Sequence, residues 1–175
     1  MAIFAEKYPE VVKEIILVGS GPLEDKYVSE IDSRRVGNLS GEELALYKRL
    51  INNQVTDEDM KKIPAMFEKS DNYCLEDRES HRADKSDSEM HNLVWSEAAK
   101  LRTEGKLLEV FQKIDSKIYL IQGHNDPHPA KGVMIPLQEN NASCEAYVLE
   151  KCGHSPFMEK YAKDEFYNIL SEIIS

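Results

Sequence analysis

The chain has 175 residues, of which 41% are hydrophobic and 31% charged, so it is long enough to form one domain with a packed core. Its 32 acidic and 22 basic residues give a net charge of -10, which disfavours nonspecific binding to nucleic acid or to an anionic membrane. No apolar run approaches the ~18 residues of a membrane helix, no secretory signal is recognisable, and three cysteines are too few for a disulfide framework. These features predict a cytoplasmic protein.

A helix end and a strand are predicted for the first 22 residues. Residues 1–8 have the character of a helix end, and Pro9 disfavours its continuation. The strand lies within Val11–Val18, and its β-branched part, Ile15–Val18, is typical of a strand buried on both faces of a parallel sheet. Residues 19–22 (Gly-Ser-Gly-Pro) lack the lysine and the glycine spacing of a phosphate loop, so we interpret them as a strand-end turn.

The segment from Leu23 to Gly105 is predicted to be helical and rich in charge. Three helix starts are predicted from pairs with capping-box spacing, the second of them weaker: Ser40 with Glu43, Thr56 with Asp59, and Ser86 with Glu89. Pro64 is expected to limit or kink the second helix, and Gly105 to close the third. We interpret the acidic stretch Asp71–Asp87 as a solvated surface segment, with a docking surface over Asp71–Glu89 as the alternative.

Aromatic and apolar side chains of the same segment have two interpretations. They could pack inside the segment or face a substrate, and the sequence does not separate these alternatives for Tyr47, Met66, Phe67 and Trp95.

Strands and helices alternate again in the last third of the chain. Two further strands are predicted, one at Ile118–Ile121 that is again typical of burial on both faces and one at Ala146–Leu149, with a short helix or turn at 133–137 between them. Pro156 occupies the favoured first position of a C-terminal helix that has an apolar stripe. Because strands that alternate with helices form βαβ units, the sequence predicts an α/β fold with a short parallel sheet of about three strands.

Two polar loops follow the second and third predicted strands. Residues 122–129 read Gln-Gly-His-Asn-Asp-Pro-His-Pro, and residues 151–155 read Lys-Cys-Gly-His-Ser. In open α/β sheets, catalytic groups gather at the carboxyl ends of the strands, so Asp126 and His154 are expected to lie close together. A buried carboxylate that accepts a hydrogen bond from an imidazole fixes the tautomer of that histidine and stabilises its protonated form. The sequence therefore predicts Asp126 and His154 as an acid–histidine pair.

Other residues of these loops also have metal-ligating or nucleophilic side chains. His124, Asp126 and His128 have a His-x-Asp-x-His spacing that zinc could use. A short turn rarely aims alternate side chains at one ion, so we favour a polar loop and predict no metal. Cys152 lies close to His154, but neighbours in one tight loop seldom place a thiolate, a base and an oxyanion site together. We interpret Cys152 as a small, inert thiol.

The order of these motifs resembles the C-terminal half of an α/β-hydrolase. Gly123 to Asp126, a Gly-x-x-Asp after a strand, is similar to the acid loop of that family. Residues 153–156, Gly-His-Ser-Pro before the last helix, are similar to its histidine loop. The segment Phe4–Val12 resembles the helix end and sixth strand that follow the nucleophile elbow, the turn that carries the catalytic serine.

The resemblance implies a division of the chain and a role for each site residue. Residues 1–22 and 106–175 would form a partial α/β-hydrolase core, and residues 23–105 would form a helical cap, or lid. His154 would be the general base and Asp126 its orienting acid in hydrolysis of an ester or amide bond through an acyl- or alkyl-enzyme, a chemistry that uses no cofactor. The fold alone does not choose among esterases, lipases, peptidases and dehalogenases.

The sequence departs from the family pattern at the nucleophile. No Gly-x-Ser-x-Gly occurs in the 175 residues, and Ser20 lies at a strand end that no elbow helix follows. The oxyanion-hole donors of the family would also lie upstream of Met1. Because the loss of one such donor costs about 2.7–4 kcal/mol, we expect no measurable esterase activity from the isolated chain.

The strand near Val11–Val18 would lack one neighbour that the family fold gives it, and its apolar edge would be open. We expect this edge to pair with a second copy in a two-fold homodimer, or with a complementary hydrolase half that supplies the nucleophile. A non-catalytic protein-binding module is a third interpretation. A completed site would act on a small-molecule ester, and neither nucleic acid nor a membrane is an expected partner.

Overall fold

A computed structural model describes residues 2–76, 88–140 and 142–175, with only the backbone of residues 88–92. Its helices and strands follow in the order α1 (Ala2–Lys7), β1 (Glu14–Val18), α2 (Val28–Asn38), α3 (Gly41–Ile51), α4 (Asp57–Asp71), α5 (Ser88–Thr103), α6 (Lys106–Gln112), β2 (Lys117–Gly123), α7 (Lys131–Glu139), β3 (Cys144–Leu149) and α8 (Lys163–Ile174). Short 3₁₀ turns at Asp25–Tyr27 and Pro156–Met158 precede α2 and α8. Within these described ranges, no helix is both long and apolar enough to cross a bilayer.

The three strands form one parallel sheet in the order β1-β2-β3, which confirms the predicted α/β fold. Ile118 of β2 pairs with Ile15 of β1 on one side and with Cys144 of β3 on the other. The prediction of burial on both faces holds for β2, the central strand, where every residue after Lys117 is buried. It is wrong for β1, where only Ile15 is fully buried, because β1 is an edge strand of the described sheet.

Successive side chains of β2 point to opposite faces of the sheet and therefore belong to two cores. The first core joins alternate residues of β2 to α1, α6 and α7: Ile118, Leu120, Ala5, Phe111, Val133 and Leu137. The second core joins the intervening residues to β3 and α8: Tyr119, Ile121, Leu149, Phe166, Ile169 and Ile173. Helices thus cover both faces of the sheet and leave its strand ends free to carry polar loops.

The helical segment (residues 23–105) connects β1 to β2 and has a small core of its own, which contains Leu39, Leu46, Tyr47 and Met66. The best-formed helix start of this segment is at Thr56 and Asp59, where the sequence signal is the weaker one. The Thr56 hydroxyl accepts a hydrogen bond from the Asp59 amide, and the Asp59 carboxylate accepts one from the Thr56 amide. Helix α4 then continues through Pro64 to Asp71, so the proline does not end it.

The other two predicted capping boxes have different outcomes. Helix α3 begins after Ser40 as predicted, but the Ser40 side chain makes no cap hydrogen bond, and Gly41 has a φ of 52°. Glu43 is instead 2.6 Å from the Lys69 ammonium, which explains why the box does not close. Helix α5 begins at Ser88, whereas Ser86 lies outside the described residues.

The C-terminal helix begins later than Pro156 predicts. Pro156 opens only a 3₁₀ turn, and α8 starts at Lys163. The intervening backbone is held by pairing with residues 74–76, where the Lys160 amide donates to the Cys74 carbonyl over 2.8 Å. This long-range pairing overrides the local helix preference of the proline.

Candidate active site

The predicted acid and histidine lie in two loops at the carboxyl ends of neighbouring strands. The acid loop (residues 124–130) follows β2, and the histidine loop (residues 150–155) follows β3. Nδ1 of His154 is 3.1 Å from Oδ2 of Asp126. The structure therefore brings together the two side chains that the sequence predicts as a pair.

Two glycines allow the histidine loop to approach the strand ends. Gly19, which follows β1, has a φ of 54°, and a Cβ there would lie 2.4 Å from the carbonyl oxygen of His154. Gly123 ends β2, and a Cβ there would lie 2.1 Å from the carbonyl oxygen of Gly153. Any other residue at either position would push the histidine loop away from the sheet, so both glycines are required for the geometry of the site.

The carboxylate of Asp126 is fully buried and surrounded by hydrogen-bond donors. Its Oδ2 accepts from Nε2 of Gln122 over 2.6 Å, in addition to its contact with His154. Its Oδ1 accepts from the backbone amide of His128 and lies 2.9 Å from Nδ1 of the same histidine. Burial raises the pKa of Asp126, but the contacts with His128 and His154 outweigh it, and the pKa falls below its usual value. Asp126 is therefore charged at neutral pH.

His154 is fixed through its ring and its backbone, and its side chain remains 36% exposed. Its backbone amide donates to the carbonyl of Asp71 over 2.7 Å. Burial lowers the pKa of His154, but the hydrogen bond and the charge of Asp126 outweigh it, so the pKa is raised. Because a carboxylate can only accept, Nδ1 carries a proton and the lone pair of the neutral ring lies on Nε2. His154 can thus take up a proton at Nε2.

A second histidine shares the same carboxylate, which sequence reasoning missed. The His-x-Asp-x-His spacing groups His128 with His124, but the structure separates them. His124 is exposed and lies 3.5 Å from Glu150, whereas His128 is buried, and its ring centroid is 4.7 Å from that of His154. The cluster that forms is therefore Asp126, His128 and His154.

Gln122 is the other unpredicted member of the site. It is fully buried at the end of β2, where its Oε1 accepts from the Ser20 amide over 2.9 Å and its Nε2 donates to Asp126. It thereby connects the turn after β1 to the acid loop. A polar residue at the end of an otherwise apolar strand is the sequence signal that could have identified it.

A cavity of about 450 Å³ lies between the helical segment and the two histidines. His128 and His154 line one side, and residues of α2, α4 and α5 line the other, among them Ile31, Arg35, Phe67, Asp71, Trp95 and Arg102. Of the four side chains whose role the sequence left open, Phe67 and Trp95 line the cavity, whereas Tyr47 and Met66 belong to the core of the helical segment. A separate cavity of about 510 Å³ lies beside His124 and Arg34 and is not lined by either member of the acid–histidine pair.

One buried carboxylate holds the helical segment against the histidine loop, and a second joins two helices of that segment. Glu159 is fully buried, and its oxygens accept from the amides of Tyr73, Cys74 and Gly153 over 2.6–2.8 Å. Asp71, at the end of α4, accepts two hydrogen bonds from Arg35, over 2.8 and 2.6 Å.

The sequence predicts that the stretch Asp71–Asp87 is solvated, but its first residue, Asp71, is buried. The prediction is wrong at this residue. The physical reason is the planar guanidinium of Arg35, which satisfies both oxygens of the carboxylate. Residues 77–87, the greater part of that acidic stretch, lie outside the described residues.

Cys152 is fully buried in the histidine loop. Burial, followed by the negative charges of Glu159 and Asp126, raises the pKa of its thiol to about 12. At neutral pH the thiol is protonated, and it is a poor nucleophile in that form. The interpretation of Cys152 as a small, inert thiol is consistent with this environment.

The fold is similar to that of solved α/β-hydrolase structures. The sequence matches no protein-family model, and no curated protein is significantly similar to it. The structure of VinJ aligns with a TM-score of 0.59 at 12% identity, over 98% of this chain and 60% of that one. A proline iminopeptidase of Mycobacterium smegmatis aligns with a TM-score of 0.59 at 14% identity, over the same shares of the two chains.

A third solved structure, the 2-hydroxy-6-oxo-6-phenylhexa-2,4-dienoate hydrolase of Rhodococcus sp. strain RHA1, aligns with a TM-score of 0.50 at 18% identity, over 96% of this chain and 57% of that one. The chain therefore spans about 60% of the length of the structures that it matches. It has part of the α/β-hydrolase fold, as the order of its motifs predicts.

Proposed function

We propose that this chain supplies the acid and the histidine of a hydrolase active site that cleaves ester or amide bonds. The observation that carries the proposal is the 3.1 Å contact between Nδ1 of His154 and the buried carboxylate of Asp126. The pair lies at the carboxyl ends of adjacent parallel strands, where catalytic groups of α/β proteins gather. The name of one similar structure, a proline iminopeptidase, supports the cleavage of amide bonds.

In the proposed reaction, a serine hydroxyl approaches Nε2 of His154. The imidazole accepts the hydroxyl proton while the serine oxygen attacks the carbonyl carbon of the substrate, and Asp126 stabilises the imidazolium that forms. His154 then donates that proton to the leaving group. The leaving group departs, and the acyl group stays bound to the serine as an acyl-enzyme. Water hydrolyses the acyl-enzyme with His154 again as the base.

The serine is proposed to come from outside these 175 residues. The sequence has no Gly-x-Ser-x-Gly, and among the described residues no serine hydroxyl is hydrogen-bonded to His154. We therefore expect the 175-residue chain alone to be inactive. In a completed site, residues 23–105 would act as a cap over the substrate, because Phe67 and Trp95 of that segment face the same cavity as His154.

The open edge of β1 is our candidate for the surface that binds the polypeptide with the serine. Strand β1 pairs with β2 on one side, and no strand of the described residues pairs with its other side. In the residues that precede it, Ile3, Phe4 and Val11 are each more than half exposed. An open strand edge with apolar side chains nearby favours association with another chain. Light scattering of the wild type and of Ile16→Pro, which blocks this edge, tests the alternative. A homodimer that forms in the wild type but not in Ile16→Pro would show that the edge binds a second copy of the chain and not the polypeptide with the serine.

The acid–histidine pair can be tested in the isolated chain by proton NMR. A carboxylate-bonded Nδ1 proton of His154 should give a far-downfield signal that disappears in Asp126→Asn and in His154→Ala. His124→Ala is the matched control, because His124 is an exposed histidine in the loop of Asp126, and this variant should keep the signal. A spectrum that is the same in the wild type and in His154→Ala would contradict the pair.

Activity is tested by co-expression with an N-terminal α/β-hydrolase fragment that carries a Gly-x-Ser-x-Gly nucleophile elbow. Turnover of a p-nitrophenyl ester should appear only in the assembled complex and should fall by about 10⁴-fold or more in His154→Ala. Steady turnover by the chain alone that His154→Ala abolishes would show that the expectation of inactivity is wrong. Turnover by the complex that survives His154→Ala would contradict the proposed function.

A further inference from the structure

Two histidines contact opposite oxygens of the Asp126 carboxylate. Oδ2 lies 3.1 Å from Nδ1 of His154, and Oδ1 lies 2.9 Å from Nδ1 of His128. Because a carboxylate can only accept, both rings carry a proton on Nδ1 and donate to the same charged group. The two rings are also close to each other, with their centroids 4.7 Å apart. The proposed hydrolysis uses only His154 of the two.

The buried carboxylate has an unfavourable effect on a base as well as a favourable one. Asp126 is fully buried, and its hydrogen bond and charge raise the pKa of His154. A histidine with a raised pKa is protonated over a wider range of pH, and a protonated imidazole cannot accept the proton of a serine. A second donor that stabilises the carboxylate would limit this effect on His154.

We propose that His128 is a positioning residue that limits the protonation of His154 through the carboxylate that the two rings share. This role rests on the proposed function of His154 as a base. The His128 ring donates to Oδ1 together with the backbone amide of the same residue, so loss of the ring takes one donor from this oxygen. A carboxylate with fewer donors attracts the remaining ones more strongly, and His154 would then bind its second proton more tightly. Any positive charge on His128 acts in the same direction, because like charges oppose each other's ionisation.

The His128 ring is held in place for this contact. Both the ring and the carboxylate that accepts from it are buried. Nε2 of Gln122, at the end of β2, donates to the backbone carbonyl of His128 over 2.9 Å and to Oδ2 of Asp126 over 2.6 Å. One side chain of the strand thus fixes the backbone of His128 and the carboxylate together, so the contact does not depend on a bound substrate.

Charged groups of other elements also face His154. Asp71 of α4 raises the pKa of His154, and Arg35 of α2, the ion-pair partner of Asp71, lowers it. Asp32 of α2 and Arg102 of α5 line the same cavity. None of these four groups changes when the acid loop is varied, so a comparison of loop variants measures the effect of the second imidazole.

The test follows the titration of the His154 imidazole in the full chain by NMR, with His154→Ala to assign its signals. His128→Leu has no donor in the side chain, so we expect His154 to become protonated at a higher pH than in the wild type. His128→Asn should restore the wild-type titration, because its Nδ2 can donate to the same carboxylate. His124→Leu is the matched control, since His124 is an exposed histidine of the same loop, and it should leave the titration of His154 unchanged.

Two results would overturn this role. One is a folded His128→Leu variant in which His154 titrates at the wild-type pH or below it. The other needs no variant and decides the matter if His128→Leu does not fold. Heteronuclear NMR of the wild type shows which nitrogen of the neutral His128 ring carries the proton: Nδ1 supports the role, and Nε2 contradicts it, because Nδ1 could not then donate. Neither result removes the downfield signal of His154, whereas absence of that signal from the wild type would contradict the acid–histidine pair itself.

Discussion

The loops at the strand ends and the helical segment satisfy their buried carboxylates in different ways. Asp126 and Glu159, in or beside the loops, are fully buried, and their partners are backbone amides, a glutamine and two imidazoles. In the helical segment, Asp71 and Asp59 are each bound by two nitrogens of an arginine. The first kind of carboxylate organises loops, whereas the second joins helices.

The difference has an energetic consequence. Some carboxylates accept hydrogen bonds from several backbone amides. When such a carboxylate is removed, each of those amides loses a charge-assisted hydrogen bond and is left buried and unpaired. An arginine–carboxylate pair near the surface loses less, because water can replace part of the interaction. Substitutions should therefore destabilise the loop region more than the helical segment.

Glu159→Ala should have the largest effect of the substitutions considered. It removes the acceptor of the Tyr73, Cys74 and Gly153 amides, and we expect it to lower the free energy of unfolding by about 3–5 kcal/mol. Urea denaturation followed by circular dichroism measures the loss. The matched control is Glu165→Ala, an exposed glutamate at the start of α8, for which we expect less than about 0.5 kcal/mol. Equal losses in the two variants would show that Glu159 does not hold the loops.

Arg35→Ala should have the next largest effect. The side chains of Arg35 and Asp71 are only 18% and 12% exposed, so removal of the arginine leaves a largely buried carboxylate without its cation. We expect a loss of about 2–3 kcal/mol of unfolding free energy by urea denaturation. Lys69→Ala breaks the more exposed pair with Glu43 in the same segment and should cost less than about 1 kcal/mol. A larger loss for Lys69→Ala than for Arg35→Ala would reverse the comparison.

The same contrast explains which parts of the site could be predicted from the sequence. Asp126 and His154 follow strands that the apolar pattern identifies, and parallel strands place their carboxyl ends at one edge, so the proximity of the two side chains follows from topology. Glu159 could not be predicted, because its partners are backbone amides and two of them lie 85 and 86 residues away in the chain. Backbone amides carry no sequence signal.

Local signals failed where a distant partner competed with them. Pro156 is a good first residue of a helix, but pairing of the following residues with the segment 74–76 delays α8 to Lys163. Ser40 with Glu43 is the stronger capping-box signal, but Glu43 is bound by Lys69 from α4. In each case the local preference is weak compared with a contact that only the folded chain creates.

Tyr47 gives the comparison a pH dependence, because its hydroxyl is hydrogen-bonded to a carboxylate of the helical segment. Its hydroxyl donates to Asp32 over 2.5 Å, and burial, then the hydrogen bond and charge of Asp32, raises the pKa of Tyr47 to about 12. The unfolded value is about 10, so this contribution to stability is complete below pH 10 and is lost as the pH rises through 12.

We expect the wild type to lose up to about 2 kcal/mol more than Tyr47→Phe between pH 9 and pH 12, since the variant has no hydroxyl to ionise. Urea denaturation of both proteins at each pH measures the difference, and titrations common to both proteins cancel. Parallel losses in the wild type and the variant would place the ionisation of Tyr47 at its ordinary pKa.

The smallest expected effect distinguishes two of the three predicted capping boxes of the helical segment, those at Thr56 and Ser40. The Thr56 hydroxyl accepts from the Asp59 amide, whereas the Ser40 side chain makes no cap hydrogen bond to α3. Thr56→Ala should therefore cost about 1 kcal/mol of unfolding free energy, which is typical of a lost N-cap, and Ser40→Ala only a few tenths. Urea denaturation of the two variants under one condition tests this order. An equal cost would mean that the Ser40 hydroxyl caps α3 in solution.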